Sequence, residues 1–419
     1  MTPDPVANPQ RRRNLAASGF VGLLLGAAVF ALPHFIPEGG SWAADFRVFY
    51  SAAVVIAHGG NPYHQATIVA VEQHVRRSQA APVAGSNYAY LPVVAWVLIP
   101  LTLLPFWLAW TCFTVLAVTL TGCSVYALTR HFGWGHPAVA VTTVELLWVS
   151  LWGYLLGQFD ALLLAALTAA LLSRLHGRGL VAGAVLATAL VKPQLLLPAV
   201  PLLVLSFWPD RRATLRCAAG FLMTSVVLLV ADTVVTPGLL RPWWHYLHQF
   251  AAAVPQTQFG LAGLSGLTAD MPRSWGLTDA VTSGLAVGLA TAGVLVAAVL
   301  AVRFAVDRCR GRGGSGREIV LSVMLPFSVW LLVTPYSHLN DLLLLLPLLL
   351  VLVGVDCVDL RGAAVWMAMV AFSLFPYIES FVGFRVDILP IVVLFAVVAG
   401  WTTAFPWRRP GSGTVPGLS

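Results

Sequence analysis

The feature that most constrains this chain is a succession of apolar blocks with almost no charge inside them. They run at 90–129, 138–155, 159–173, 179–207, 213–235, 280–302, 319–335, 341–355, 363–376 and 388–405. About 20 consecutive apolar residues cross a bilayer as a helix, and an isolated segment must be helical there to satisfy its own backbone groups. Composition agrees: 58% of the 419 residues are hydrophobic and 10% charged, where ordinary globular domains carry about 25% charged residues. The pattern predicts an all-α integral membrane protein, a single polytopic membrane domain over 1–419. It excludes the soluble classes, nucleic-acid binding included. An earlier apolar run, Leu15 to Ile36, follows Arg11, Arg12 and Arg13 and reads as a retained first span, being too long for a signal-peptide core.

Two blocks carry internal breaks. Pro92, Pro100 and Pro105 interrupt 90–129, and the Lys192-Pro193 pair interrupts 179–207. The blocks then total about 12 transmembrane helices. Arginine bias places the N-terminus, Arg211 to Arg216, Arg303 to Arg317 and the 406–419 tail in the cytoplasm. Residues 37–89 become the first extracytoplasmic loop and 237–278 the second long one. In the first loop, Asp45 to Ala57 has helical apolar spacing suited to an amphipathic helix on the membrane surface, stopped by Gly59, Gly60, Asn61 and Pro62. The arginine-bearing loops at Arg130 and Arg174 to Arg178 become cytoplasmic if 90–104 does not fully cross. Residues 179–191 and 194–207 are then two short helices meeting at Lys192 on the outer side, each about 20 Å long and too short to span alone. The competing topology has two spans in 90–129 and one long helix through Lys192. No repeat relates the two halves by inspection.

The scarce polar residues inside or beside these blocks are the candidates for chemistry. Asp45 can act as a general base, taking a proton from a substrate hydroxyl within hydrogen-bond reach, or can simply cap the helix it begins. Lys192 is the one lysine among 24 basic residues and lies next to proline at a helix break. An intramembrane cation is costly unless paired, and a lipid phosphate is the obvious anion at that depth; snorkelling to the headgroups is the alternative. Gln158 and Asp160 in LGQFD, and His338, Asn340 and Asp341 in TPYSHLND, sit in turns expected on the same outer face. Their groups suit sugar hydroxyls or a metal, and helix-capping turns use the same residue types. One histidine and one aspartate three apart do not make a metal site. Glu145, in mid-block, reads as a structural polar contact, and Trp243, Trp244 and Tyr246 as interface anchors. The five cysteines show no metal-ligand spacing.

Six segments together resemble the GT-C superfamily of membrane glycosyltransferases. They are AADFRVFY with Asp45, GGNPY at 59–63, YAYLP at 88–92, LLGQFDALL at 155–163, AGAVLATALVKPQLLLP at 182–198 and TPYSHLNDLLLLLP at 334–347. More narrowly, they resemble the bacterial family of polyprenol-phosphate-mannose-dependent α-1,2-mannosyltransferases and related arabinofuranosyltransferases. The chain has one proline in YAYLP where members often have two, and TPYSHLND differs from the tryptophan and double-histidine form of mannosyltransferase members.

The resemblance implies a GT-C-like bundle in a bacterial plasma membrane, with its active site facing the extracytoplasmic side. It implies a polyprenyl-phosphate-sugar donor, a glycolipid or glycan acceptor and surrounding membrane lipids. Asp45 would be the catalytic base and Lys192 the donor-phosphate ligand; beside these, Tyr90, Gln158, Asp160, His338, Asn340 and Asp341 are the chain's own candidates for sugar or acceptor contacts. No cofactor is implied, and metal dependence is left open. Mannose is the first expectation for the sugar and arabinofuranose the alternative. A transporter or lipid flippase, with Glu145, Asp160 and Lys192 as pathway charges, and a noncatalytic scaffold are the rival classes.

Overall fold

The computed structural model describes residues 43–75, 88–133, 137–257, 279–310, 315–334 and 338–353. The first span at 15–36, the blocks at 363–376 and 388–405, Cys357, the 406–419 tail and residues 258–278 of the second outer loop lie outside the described residues. The described elements are all helical. In chain order they are α1 (Ala44–Ala57), α2 (Gln65–Val75), α3 (Pro92–Val97), α4 (Phe106–His131), α5 (Pro137–Glu145), α6 (Trp148–Leu156), α7 (Asp160–Leu175) and α8 (Gly179–Leu186). There follow α9 (Pro193–Leu196), α10 (Ala199–Ser206), α11 (Arg211–Val235), α12 (Leu240–Thr257), α13 (Asp279–Cys309), α14 (Gly316–Val333) and α15 (Leu346–Val353). Short 3-10 turns occupy Ile99–Leu103, Ala187–Leu190 and Leu339–Leu345.

Among the described residues, three helices are long and apolar enough to cross a membrane: Phe106–His131, Arg211–Val235 and Ala290–Cys309. A fourth crossing is available if α5 and α6, bent by 56° at their junction, act as one broken span. The several apolar helices are those of a membrane protein.

The proline breaks fall where the sequence puts them. Residues 92–103 form only a six-residue helix and a 3-10 turn, neither long enough to cross, as expected of 90–104. The 179–207 block breaks into short pieces around Lys192, whose φ of −132° and ψ of 76° are non-helical. A residue before proline is pushed out of the helical region by the pyrrolidine ring. The break leaves carbonyls without helical partners, and Trp330 Nε1 donates to one of them, Gln194 O, at 3.0 Å.

The core lies where helices approach backbone to backbone. A Cβ on Gly183 would stand 1.9 Å from Cys217 O, and one on Gly220 2.1 Å from Leu180 O, so glycine alone permits the α8–α11 contact. In lipid, where no hydrophobic force separates helices from tails, such close approach supplies the packing energy. Glu145 is buried and accepts a 2.5 Å hydrogen bond from Tyr154 Oη, the structural contact expected of it.

One expectation is corrected. The helix over 44–57 forms, but it is not an amphipathic helix resting on a membrane surface. Phe46 to Ala53 are buried on all sides of it, along with Val55, and α2, α3 and the 99–103 turn pack around it. Aromatic and small residues follow one another too closely in DFRVFYSAA to leave a polar face. Likewise Trp243 is drawn inward, donating to Ala89 O at 3.2 Å, while Trp244 stays exposed.

Candidate active site

The position of Asp45 follows from how α1 docks. The chain enters α1 through Ala43, at a left-handed φ of 51°, and Ala43 N donates to Leu155 O at the end of α6 at 2.8 Å. Gly157 closes α6 with φ of 75°, and a Cβ there would lie 2.4 Å from Phe46 Cβ. Glycine is thus needed twice over, for its dihedral and for the close approach of α1. This junction sets the first turn of α1 beside the Gly157-Gln158-Phe159 turn. Phe159 locks it, with its ring centroid 4.5 Å from Phe49 and 5.5 Å from Phe113.

Asp45 does not cap its helix. The residue at the cap is Ala43, and no side chain caps the α1 N-terminus. The carboxylate instead accepts a 2.6 Å hydrogen bond at Oδ2 from Gln158 Nε2, across 113 residues of sequence. Asp45 is half-buried, and Gln158 is buried with its Oε1 lacking a hydrogen-bond partner among the described residues. Burial raises the Asp45 pKa above the ordinary 3.8; the Gln158 hydrogen bond and the nearby Lys192 and His338 work against that rise, and Asp160 adds to it.

Two residues beyond Gln158, Asp160 opens α7, where a carboxylate suits the positive end of the helix dipole. Lys192 Nζ lies 2.9 Å from Asp160 Oδ1 and 2.9 Å from Asp341 Oδ1. All three side chains are buried, as is Asn340, whose Nδ2 donates to Asp160 Oδ2 at 2.6 Å. Asp341 also ties down its own turn, with Oδ2 accepting from His338 N at 2.7 Å. A buried lysine with one carboxylate would be balanced; here two carboxylates share one ammonium. Two of the three ammonium protons are committed to these carboxylates. Tyr90 packs edge-on against Phe49, with centroids 4.9 Å apart, and lies within electrostatic reach of Lys192.

The residues singled out in the sequence therefore gather in one place. Asp45 and Gln158 form one hydrogen-bonded pair; Lys192, Asp160, Asn340, Asp341 and the His338 backbone form a network beside it. Residues 335–337 of the TPYSHLND turn lie outside the described residues. Among the described residues, no group of three or more His, Cys, Asp or Glu side chains is arranged to hold a metal ion. Sequence reasoning missed Asp232. It is fully buried on α11, where Thr236 Oγ1 donates to its Oδ1 at 3.3 Å. The signal was present as an aspartate inside the apolar block 213–235.

Comparison with curated proteins and with solved structures gave no match. A family model does match, over residues 88–335, more than half of the chain. That stretch takes in Tyr90, Gln158, Asp160 and Lys192; His338, Asn340 and Asp341 follow it closely and Asp45 lies well before it, and Asp45, Asn340 and Asp341 are joined to it by hydrogen bonds. The matched family is one of sugar-transferring enzymes, of the GT-C type, which agrees with an all-helical chain of apolar segments and removes the transporter and scaffold readings. The chain belongs to glycosyltransferase family 87.

Proposed function

We propose that this glycosyltransferase moves a sugar, mannose first among the candidates, from a polyprenyl phosphate to a hydroxyl of a lipid-linked or cell-envelope glycan at the outer face of a bacterial plasma membrane. The observation that carries the reading is the state of Asp45. One carboxylate oxygen is fixed by Gln158 at 2.6 Å, the side chain is only half-buried, and its pKa is raised by its surroundings. A carboxylate held in orientation, accessible to substrate and more basic than usual is suited to general-base catalysis.

In the reaction, an acceptor hydroxyl oxygen attacks the anomeric carbon as its proton passes to Asp45. The bond from that carbon to the phosphate oxygen breaks, polyprenyl phosphate leaves with the electron pair, and the single displacement inverts the configuration. Gln158 Oε1, without a hydrogen-bond partner among the described residues, is an acceptor suited to a sugar hydroxyl. Lys192 has one ammonium proton left for a phosphate oxygen; its larger part is to fix Asp160 and Asp341. Positioning and charge stabilisation, rather than covalent catalysis, supply the rate.

The test is transfer by membranes holding the protein, supplied in parallel with labelled polyprenyl phosphate mannose and labelled polyprenyl phosphate arabinose. Transfer from the mannosyl donor supports the reading in full, and transfer from the arabinosyl donor alone moves the sugar to arabinofuranose. No transfer from either, with protein that transfers from a nucleotide sugar, overturns the donor class.

A further inference from the structure

At the other end of α7 from Asp160, about 21 Å away at 1.5 Å per residue, three helix ends converge. Arg174 lies in the last turn of α7, Arg308 in the last turn of α13, and Ser206 ends α10. Arg174 Nε donates to Ser206 O and to Ser206 Oγ, both at 3.0 Å, and its Nη2 donates to Ser206 O at 2.5 Å. Arg308 Nη1 also donates to Ser206 O, and its Nη2 to Ser322 Oγ. The Arg174 guanidinium carbon lies over Phe207, 4.4 Å from the ring centroid.

One arginine is enough to satisfy the end of a helix. A helix C-terminus carries about half a negative charge, and here two full positive charges share a single carbonyl. Among the described residues, neither arginine forms an ion pair with a carboxylate. Two acids within electrostatic reach are each tied into a helix start: Asp210 Oδ1 accepts from Ala213 N at 3.1 Å, and Glu318 Oε2 from Ser315 N at 3.1 Å. Both arginines are half-buried, so water does not fully screen their repulsion. Arg174 Nη1 and Arg308 Nε have no protein acceptor among the described residues and remain available as donors.

We propose that Arg174 and Arg308 form a phosphate-binding site on the face opposite the aspartate cluster, bridging one phosphate group between the two guanidiniums. The excess charge needs an anion, and paired guanidinium forks match the geometry of phosphate oxygens. The surrounding face carries Arg178, Arg211, Arg212 and Arg216, and Arg211 lies over Trp208 at 5.9 Å, the combination found where a protein meets lipid headgroups. The phosphate comes either from an anionic phospholipid or from solution as the free ion.

The test uses the full chain purified in neutral detergent and titrated with dioleoylphosphatidylglycerol, inorganic phosphate or dioleoylglycerol. The parent protein should bind the phosphatidylglycerol or the phosphate, and not the diacylglycerol. Binding of phosphatidylglycerol alone identifies a lipid headgroup site, and equal binding of inorganic phosphate a free-phosphate site. Arg174→Gln and Arg308→Gln should each weaken binding at least tenfold, while Arg212→Gln, an exposed arginine on the same face, changes it less than twofold. If the glutamine variants do not fold, Arg308→Lys, which keeps the charge and loses the fork, should weaken binding at least threefold. Overturning results are binding of neither phosphate ligand, equal binding of diacylglycerol, unchanged affinity in the Arg308 variants, or an equal loss in Arg212→Gln.

Discussion

Replacing Lys192 by methionine removes the only cation, among the described residues, within 2.9 Å of two carboxylates that are both buried. Methionine keeps most of the volume of the lysine stem, so the change isolates charge from packing. Breaking a buried ion pair by removing one partner costs about 3–5 kcal/mol, because the charge left behind has neither water nor a counter-ion. Here two such charges are left, and Asn340 Nδ2 offers Asp160 a hydrogen bond but no charge. At roughly 0.9 kcal/mol/K of unfolding entropy for 419 residues, the loss appears as a fall in Tm of about 3–6 °C in detergent. Asp341→Asn should be milder, since Lys192 keeps Asp160 as its counter-ion. The discriminating variant combines Lys192→Met with Asp160→Asn and Asp341→Asn. Removing a whole buried ion cluster is often neutral, so the triple variant should recover to within roughly 1 kcal/mol of the parent while remaining poor in transfer. A single variant as stable as the parent, or a triple variant no better than the single, refutes the view that Lys192 holds these carboxylates.

Three further outcomes follow from the geometry. The Asp45 pKa is raised by burial and the Gln158 hydrogen bond opposes that rise, so a base that must be ionised should lose activity as pH falls through a value above 3.8. Gln158→Leu, by removing a bond to the charged form, should move that acid limb to still higher pH; a limb that stays put or moves down contradicts the pairing. Gly183→Ala places a methyl 1.9 Å from Cys217 O and should destabilise the α8–α11 contact by about 3 kcal/mol, at the upper end for overpacking because backbone must move, measured as loss of folded protein on heating. Gly157→Ala, strained at φ of 75° and pressed 2.4 Å against Phe46, should lower kcat well before it lowers the yield of folded protein, because it displaces α1 and the Asp45 it carries.

The parts of this arrangement legible in the sequence are those that local chemistry decides. Pro92, Pro100 and Pro105 announce that 90–104 breaks into pieces too short to cross as one helix, and a lysine before a proline announces a break. What could not be read is which polar residues meet. Asp45 and Gln158 are 113 residues apart, and Lys192 and Asp341 are 149 apart, and no helical period links positions on separate elements. Lys192 illustrates the consequence: its isolation among arginines marked it as important and suggested a phosphate, yet the fold supplies two carboxylates first. The α1 helix shows a different failure. Apolar residues at helical spacing point to one face of a surface helix, although the aromatic and small residues between them allow burial all round, and only neighbours distant in sequence decide between the two. Arg174 and Arg308 were read simply as markers of the cytoplasmic side, because nothing in the sequence says that two arginines 134 residues apart share one carbonyl.

The most direct test of the account is transfer by Asp45→Asn measured beside its stability. Burial raises the Asp45 pKa, so the ionised carboxylate lowers folding stability once pH rises through that value. The neutral amide removes that cost and can still accept the Gln158 hydrogen bond through its carbonyl. The variant should therefore be at least as stable as the parent at neutral pH, and its kcat should fall by roughly 10²–10⁴, the range set by loss of a general base. An Asp45→Asn protein that is equally stable and transfers sugar at the parent rate would contradict the assignment of the base.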